Sequence, residues 1–250
     1  ERVAENMADG DSRTRLGDGI GVVTVQQAAG AENAFSGIAQ AWTDSSPMLF
    51  LPGHPGRDLI GVPPNFDAFR NYAHVTKWAD IIPSGAALQS RMRRAFTLLR
   101  SGRPAPVLLE VPVDVSREDL AGPIDYQPVR PIKTGADPDA IRDAAKLLAG
   151  AQRPLIWAGQ GILYARASAE LTELAEFVGG PVMTPLLGKS AFDERHPLSL
   201  GSAALSATAM ARDYLEHCDL LLGIGASLTR TVFAPKIPSG KRIIHATVDP

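Results

Sequence analysis

Three observations predict an α/β protein built from two parallel-sheet domains. Short β-branched or largely apolar runs recur at residues 20–25, 48–51, 106–112, 154–158, 181–184, 219–224 and 242–248, as expected of strands buried on both faces. Segments with apolar residues at helical spacing separate many of them, and short strand–helix–strand crossovers imply parallel pairing and right-handed connections. The 250 residues exceed the usual size of one domain, and residues 116–136, with Pro123, Pro128 and Pro131 and no sustained apolar period, divide them. The predicted division is a first domain at 1–115, an extended linker at 116–136 and a second domain at 137–250.

The chain opens on an acid, Glu1, at the start of a predicted apolar helix closed by Met7-Ala8-Asp9-Gly10. The strand at 20–25 leads through the turn Gln26-Gln27-Ala28-Ala29-Gly30 into a helix over 31–43, and Ser45-Ser46-Pro47 leads into the next strand. Residues 52–65 carry Pro52, Pro55, Pro63 and Pro64 with Gly53, Gly56 and Gly61, and read as a surface loop near the carboxyl ends of the strands, the edge at which α/β sheets bind ligands. A helix is predicted over 84–100, with Leu88, Met92, Ala95, Phe96 and Leu99 inward. In the second domain Pro138 starts a helix that runs to Gly150, another helix spans 168–178, and a further one precedes the strand at 219–224. The expected complete sheet is six-stranded.

Composition narrows the function classes. With 45% hydrophobic residues and a formal charge of -2, the chain lacks the electrostatic footprint of a nucleic-acid or anionic-membrane binder, and a small metabolite is the expected partner. The lone Cys218 forms no internal disulfide, and no apolar run approaches the ~20 residues of a membrane span. A cytoplasmic location is expected. The chain lacks an initiating Met and a signal-peptide layout and stops just beyond an apolar strand, so it reads as a fragment.

On spacing alone, Glu1 is a surface acid that complements a helix dipole. A second reading comes from the motifs around it. Glu1 lies a short, fixed distance before Ala8-Asp9-Gly10; Gly30-Ala31 and Asn33 follow the first strand; Gly37-Ile38-Ala39, Asp44-Ser45-Ser46-Pro47, Val75-Thr76-Lys77, Gly102-Arg103-Pro104 and Val111-Pro112-Val113-Asp114-Val115 continue in order. The second domain adds Arg153-Pro154, Gly159-Gln160-Gly161, Gly188-Lys189-Ser190-Ala191-Phe192, His196-Pro197-Leu198 and Val248-Asp249-Pro250. This ordered set covers nearly the whole chain and resembles the thiamine diphosphate-dependent enzymes, in particular the large subunit of acetolactate synthase.

The resemblance implies a pyrimidine-binding domain followed by a Rossmann-like central domain, with the third, diphosphate-binding domain absent. It implies that Glu1, rather than Glu5, is the catalytic acid. A carboxyl hydrogen-bonded to the pyrimidine ring nitrogen promotes the imino form of the cofactor's 4-amino group, which then takes the proton from the thiazolium carbon. Such a carboxyl works in an apolar, water-poor site, where Asp would fall about one methylene short and Gln could not exchange the proton. Gln26, Gln27, Ala28, Ala29, Gly30 and Asn33 would then lie near the pyrimidine. The implied reaction cleaves the bond beside the carbonyl of a 2-oxo acid and passes the fragment to an acceptor, most simply pyruvate carboligation as in acetolactate synthase. A homodimer or homotetramer is implied, because family active sites form between subunits, and magnesium would sit with the diphosphate in the absent domain, leaving this piece inactive alone.

Departures keep alternatives open. Relatives have Gly-Pro before the retained glycine where this chain has Gln27-Ala28-Ala29, and Asp11 replaces a frequent Tyr. Gln26 or Gln27 offers an amide to substrate or simply caps a helix, so 2-oxo acid decarboxylation or another carboligation is an alternative, as is a non-catalytic nucleotide-binding protein. Gly17-Asp18-Gly19 has the letters of the family's metal motif but precedes its strand and lacks a suitably spaced Asn; a turn is the better reading. Gly159, Gly161 and Gly225 lie after strands, in the right context for a nucleotide's phosphates without completing the dinucleotide fingerprint, and Asp249 could take a ribose hydroxyl. Central domains of the family bind FAD, bind ADP or stay empty, and Ser227 stands where flavin-binding relatives often have Arg. The five histidines lack metal-ligand spacing, with His54 closest to the ligand edge, and Cys218 reads as a core residue. Lys77 and Arg57 are surface charges or steer an anionic 2-oxo acid.

Overall fold

A computed structural model describes residues 1–120, 122–132, 134–204 and 207–248. Two compact units emerge, Glu1–Lys133 and Thr134–Pro250.

In the first unit the elements run α1 (Arg2–Arg15), β1 (Gly21–Val25), α2 (Ala29–Thr43), β2 (Met48–His54), α3 (Ala68–Asn71), β3 (Trp78–Ile81), α4 (Gly85–Leu99) and β4 (Val107–Pro112). The four strands form a wholly parallel sheet in the order β1-β2-β4-β3, with Gly21 opposite Met48 and Leu49 opposite Val107. Alternation along the strands supplies both faces. Met48, Phe50 and Leu108 pack with Ala31, Ala34 and Ile38 of α2 and with Tyr72 on one side. Leu49, Val107 and Leu109 pack with Ala95 and Leu99 of α4 on the other, joined by Leu88, Met92 and Phe96.

Two expectations are corrected here. The first helix does not close at Met7-Ala8-Asp9-Gly10 but continues to Arg15 and ends at Leu16, whose φ of 49° is left-handed. Nor is its inner face apolar: the buried residues are Glu5, Ala8, Asp9 and Ser12, a polar stripe at helical spacing. Ala8 and Asp9 instead form a docking seam. A side chain at Gly21 would overlap the Ala8 carbonyl, so β1 approaches α1 backbone to backbone. Arg13 Nε donates to Asp9 at 2.8 Å and its second nitrogen to Asp44 at 2.9 Å. Ser12 Oγ donates to the Pro47 carbonyl at 2.5 Å and accepts the Gly21 N–H at 2.7 Å. Gly17-Asp18-Gly19 lies in the turn that follows.

The second unit contains α5 (Pro138–Gly150), β5 (Pro154–Ala158), α6 (Gly161–Ala165), α7 (Ser168–Val178), β6 (Val182–Thr184), β7 (Ser199–Ser202), α8 (Ala209–His217), β8 (Leu220–Ile224) and β9 (Arg242–Ala246). Asp137 caps α5 through the Asp139 and Ala140 N–H groups ahead of a proline at the first turn. Among the described residues the parallel sheet has five strands, ordered β7-β6-β5-β8-β9. Leu155, Trp157 and Leu221 pack toward α8 with Cys218, a buried core residue. Ile156, Ala158 and Leu222 pack toward α6 and α7. Strand order reverses between β5 and β8, where an open α/β sheet forms its ligand crevice. Among the described residues no helix is long and apolar enough to cross a membrane.

Candidate functional site

Glu1 stands immediately before α1, and the turn from Gln26 to Gly30 leaves the carboxyl end of β1. The fold brings them together. A Cβ built on buried Gly30 would lie 3.5 Å from Glu1 Cγ and Oε1 and 3.0 Å from Gln26 Cβ. The absence of a side chain at residue 30 therefore opens the surface that the Glu1 carboxyl faces. Glu1, Gln26 and Ala29 are exposed, Gln27 and Ala28 half-buried. Gly53, near the end of β2, comes so close that a Cβ there would stand 3.3 Å from the Gln27 nitrogen. Asn33 is exposed on the second turn of α2.

The turn is strained at Ala28. Ala28 has φ 52° and ψ -106°, a conformation that suits glycine and disfavours a residue with a Cβ. Its backbone carbonyl still accepts the Glu32 N–H at 2.8 Å, so α2 starts regularly beyond it. Neither glutamine caps that helix through its side chain.

Behind this surface lies an acid that spacing did not single out. Glu5, one turn along α1 from Glu1, is 0% exposed, and neither carboxyl oxygen has a hydrogen-bond partner among the described residues. Burial pushes its pKa up to about 7. The Gly37 backbone on α2 opposes that shift, without forming a bond of ordinary geometry. Tyr72, its ring tilted against those of Phe35 and Phe50, donates its hydroxyl to the Ala31 carbonyl. Burial and the neighbouring Glu5 charge both raise the Tyr72 pKa, so it stays a neutral donor. The signal for Glu5 in the sequence was its place in the stripe Glu5-Ala8-Asp9-Ser12, three and four residues apart.

A second buried polar group ties the long loop after β2, whose strand extends to His54 rather than ending before the proline-rich segment. His54 is wholly buried. Its Nδ1 accepts the Gly56 N–H, and Nε2 lies 3.2 Å from Asp67 Oδ1. Asp67 also accepts the Gly61 N–H and pairs with Arg70. Glu110, buried on β4, accepts the Ala68 and Phe69 N–H groups at 3.0 and 2.9 Å; burial raises its pKa and those two bonds oppose the rise. His54 is thus part of the loop's anchor rather than of an open ligand edge.

Lys77 and Arg57 are also reassigned. Lys77 Nζ donates to the carbonyls of Leu98, Ser101 and Arg103, fastening the segment after α4. Arg57 pairs with Asp114 and Glu118. Both cations are engaged in contacts within the protein.

In the second unit the glycines of the two turns pack on each other. A Cβ at Gly159 would overlap the Gly225 carbonyl and Ala226, and one at Gly161 would come within 2.7 Å of Gly225 Cα. The Gly159 N–H donates to the Ile224 carbonyl at 2.9 Å and the Gly161 N–H to Gly225 at 2.8 Å. Gly225 donates to Ala246. The N–H groups of these three glycines are therefore engaged by backbone carbonyls of the neighbouring turn and strands. Asp249 lies outside the described residues. Among the described residues no three His, Cys, Asp or Glu side chains converge as a metal site would require.

Comparison with known proteins bears on the whole chain. Residues 1–80 match the family described as thiamine pyrophosphate enzyme, N-terminal TPP binding domain, and residues 141–250 match thiamine pyrophosphate enzyme, central domain. A probable acetolactate synthase large subunit of Methanocaldococcus jannaschii is 36% identical over 265 residues, covering 100% of this chain and 44% of the relative. An acetolactate synthase large subunit of Parasynechococcus marenigrum is 36% identical over 257 residues, covering 96% and 40%. One of Corynebacterium glutamicum is 34% identical over 249 residues, covering 92% and 38%. The chain spans about 40% of the length of these curated relatives. Two parallel α/β units, each matching a successive domain of one family, establish that the chain belongs to the thiamine pyrophosphate enzymes, of which it carries the N-terminal and central domains.

Proposed function

We propose that this chain is the cofactor-activating part of an acetolactate synthase-like enzyme that joins 2-oxo acids, pyruvate first among them. The observation that carries the proposal is the Glu1 carboxyl facing the side-chain-free surface of Gly30 at the end of β1. When bound, thiamine diphosphate supplies a thiazolium carbon that becomes a nucleophile and stabilises negative charge beside a carbonyl.

The work of this chain is narrower. Glu1 would hold a proton at the pyrimidine ring nitrogen, and Gly30 would let the ring approach. Gln26, Gln27, Ala28, Ala29 and Asn33 would border it, with the two glutamine amides presenting donors and acceptors that relatives with Gly-Pro do not offer. Magnesium and the diphosphate would be held by sequence outside these two domains. The domains divide as 1–115 and 137–250 around the linker at 116–136, and the enzyme works in the cytoplasm as a homodimer or homotetramer.

In the full-length protein Glu1→Gln is expected to lower turnover about 10²-fold or more, the scale of a lost proton-transfer group, while thiamine diphosphate is still retained in a native mass spectrum. Unchanged turnover would remove Glu1 from the mechanism, whereas a wild-type protein with neither turnover nor bound thiamine diphosphate would favour a non-catalytic nucleotide-binding protein. A second reading, decarboxylation of a 2-oxo acid without carboligation, is favoured by the replacement of Gly-Pro at Ala28-Ala29. Product analysis with pyruvate separates the two, acetolactate marking the first and acetaldehyde the second.

A further inference from the structure

Glu5 has a burial and a position that no role described above accounts for. It is fully buried between α1 and α2, its two oxygens find no hydrogen-bond partner among the described residues, and it lies on the same face of α1 as Glu1, one turn away. A side chain at Gly37 would overlap its Oε2, so α2 has its glycine where the carboxyl arrives. Tyr72 completes the enclosure and bonds Ala31, the residue next to Gly30. The groups facing Glu5 are Glu1 and Arg2 with the Glu1 amino group on its own helix, Gly37 on α2 and the Tyr72 hydroxyl. Glu5 thus stands behind the same two elements, α1 and the start of α2, that bring Glu1 and Gly30 face to face.

From this enclosure, resting on the role proposed for Glu1, we infer that Glu5 is a positioning residue whose neutral carboxyl keeps α1 seated on α2 and so holds Glu1 against the Gly30 turn. A carboxylate without partners is expensive to keep in an apolar enclosure. Once ionised, Glu5 is driven toward water and repels Glu1, which loosens α1 from α2. Burial raises the Glu5 pKa to about 7, so the carboxyl is mostly neutral below that pH and ionises through it. Because this folded value lies above that of the unfolded chain, the stability tied to the proton is fully present below the unfolded value of about 4.5 and is lost as pH rises through about 7.

The test compares full-length wild type with Glu5→Gln, a neutral side chain of the same shape, by thermal unfolding without cofactor between pH 5 and 8. Wild type is expected to lose stability across this window, and the variant to lose less. Identical slopes would overturn the inference. If Glu5→Gln fails to fold, the ¹³C-carboxyl titration of wild-type Glu5 decides: a midpoint near neutrality supports the inference, and one in the ordinary carboxylate range overturns it. Thiamine diphosphate affinity of wild type should also fall about two- to tenfold from pH 6 to 8, the scale of one added neighbouring charge, while that of Glu5→Gln stays flat. A pH-dependent affinity identical in both proteins would refute the positioning of Glu1. Unfolding and carboxyl titration are independent of turnover, so they stand or fall separately from the effect of Glu1→Gln on activity.

Discussion

The Oε1 atom of Glu1 lies 3.5 Å from the point where a Cβ on Gly30 would stand. The acid and the gap in front of it come from different elements, and neither has meaning without the other. Gly30→Ala is therefore expected to fill the gap while changing stability by less than about 1 kcal/mol, because alanine suits a helix and only the Gln26 Cβ must give. Thiamine diphosphate affinity of the full-length protein should fall about tenfold, measured by calorimetric titration. Full affinity would show that the ring does not approach at Gly30.

Ala28 occupies a conformation with φ 52° and ψ -106°. Strain of this kind is worth about 1–3 kcal/mol per residue, partly offset by the greater freedom of glycine in the unfolded chain. Ala28→Gly should accordingly raise the unfolding free energy by about 1 kcal/mol, seen as a higher urea midpoint at unchanged m. An unchanged or lower midpoint would mean that the turn relaxes at no cost.

Glu5 and Gly37 form a matched pair across α1 and α2. A methyl group at residue 37 would meet both the carboxyl and the Cβ of Glu5, so Gly37→Ala should destabilise by about 1–3 kcal/mol. Glu5→Ala in the same chain should recover most of that loss. Additive effects in the double-mutant cycle would show that the two residues do not share the space.

Lys77 joins the carbonyl of Leu98 in the last turn of α4 to those of Ser101 and Arg103 beyond it. Lys77→Met keeps most of the stem but leaves those acceptors without the ammonium, for an expected loss of about 1–3 kcal/mol in chemical denaturation. Activity at saturating substrate should persist in the folded fraction, since the side chain serves the backbone. A stable variant with a raised KM would restore the steering role.

Glu110 carries a pH signature of its own. Its pKa is raised by burial, so its contribution to stability is fully present below the unfolded pKa and lost as pH rises through the folded one. Glu110→Gln abolishes that slope but turns an amide NH₂ toward an N–H of Ala68 or Phe69, at about 1–3 kcal/mol. Melting curves should show a lower midpoint at every pH and a flatter profile. A profile parallel to wild type would contradict the assignment.

What could be read in the sequence followed burial. The strand at 154–158 is five consecutive buried residues, and its apolar run leaves little choice. β3 and β7 are edge strands, four residues long and mostly half-buried, with Asp80 in one and Ser199, Gly201 and Ser202 in the other; they offer no continuous run to detect. The end of α1 was misplaced because Gly10 resembles a stop, whereas the helix has open space around that residue and continues through it. Spacing alone left Glu1 an ordinary surface acid. Its nearness to Gly30 depends on how α1 docks on β1, which in turn rests on Gly21, Ser12 and Asp9, and no local pattern encodes that contact.

The glycine seam between the ends of β5 and β8 couples two loops that are about sixty residues apart in sequence. Neither loop has room to acquire a side chain unless the other retreats, so the pair forms a single mutational unit. Natural variation in this domain should preserve both turns or remodel them together. A library that randomises one alone would return almost only the starting residue, and loops grafted from a relative would be accepted only as a set.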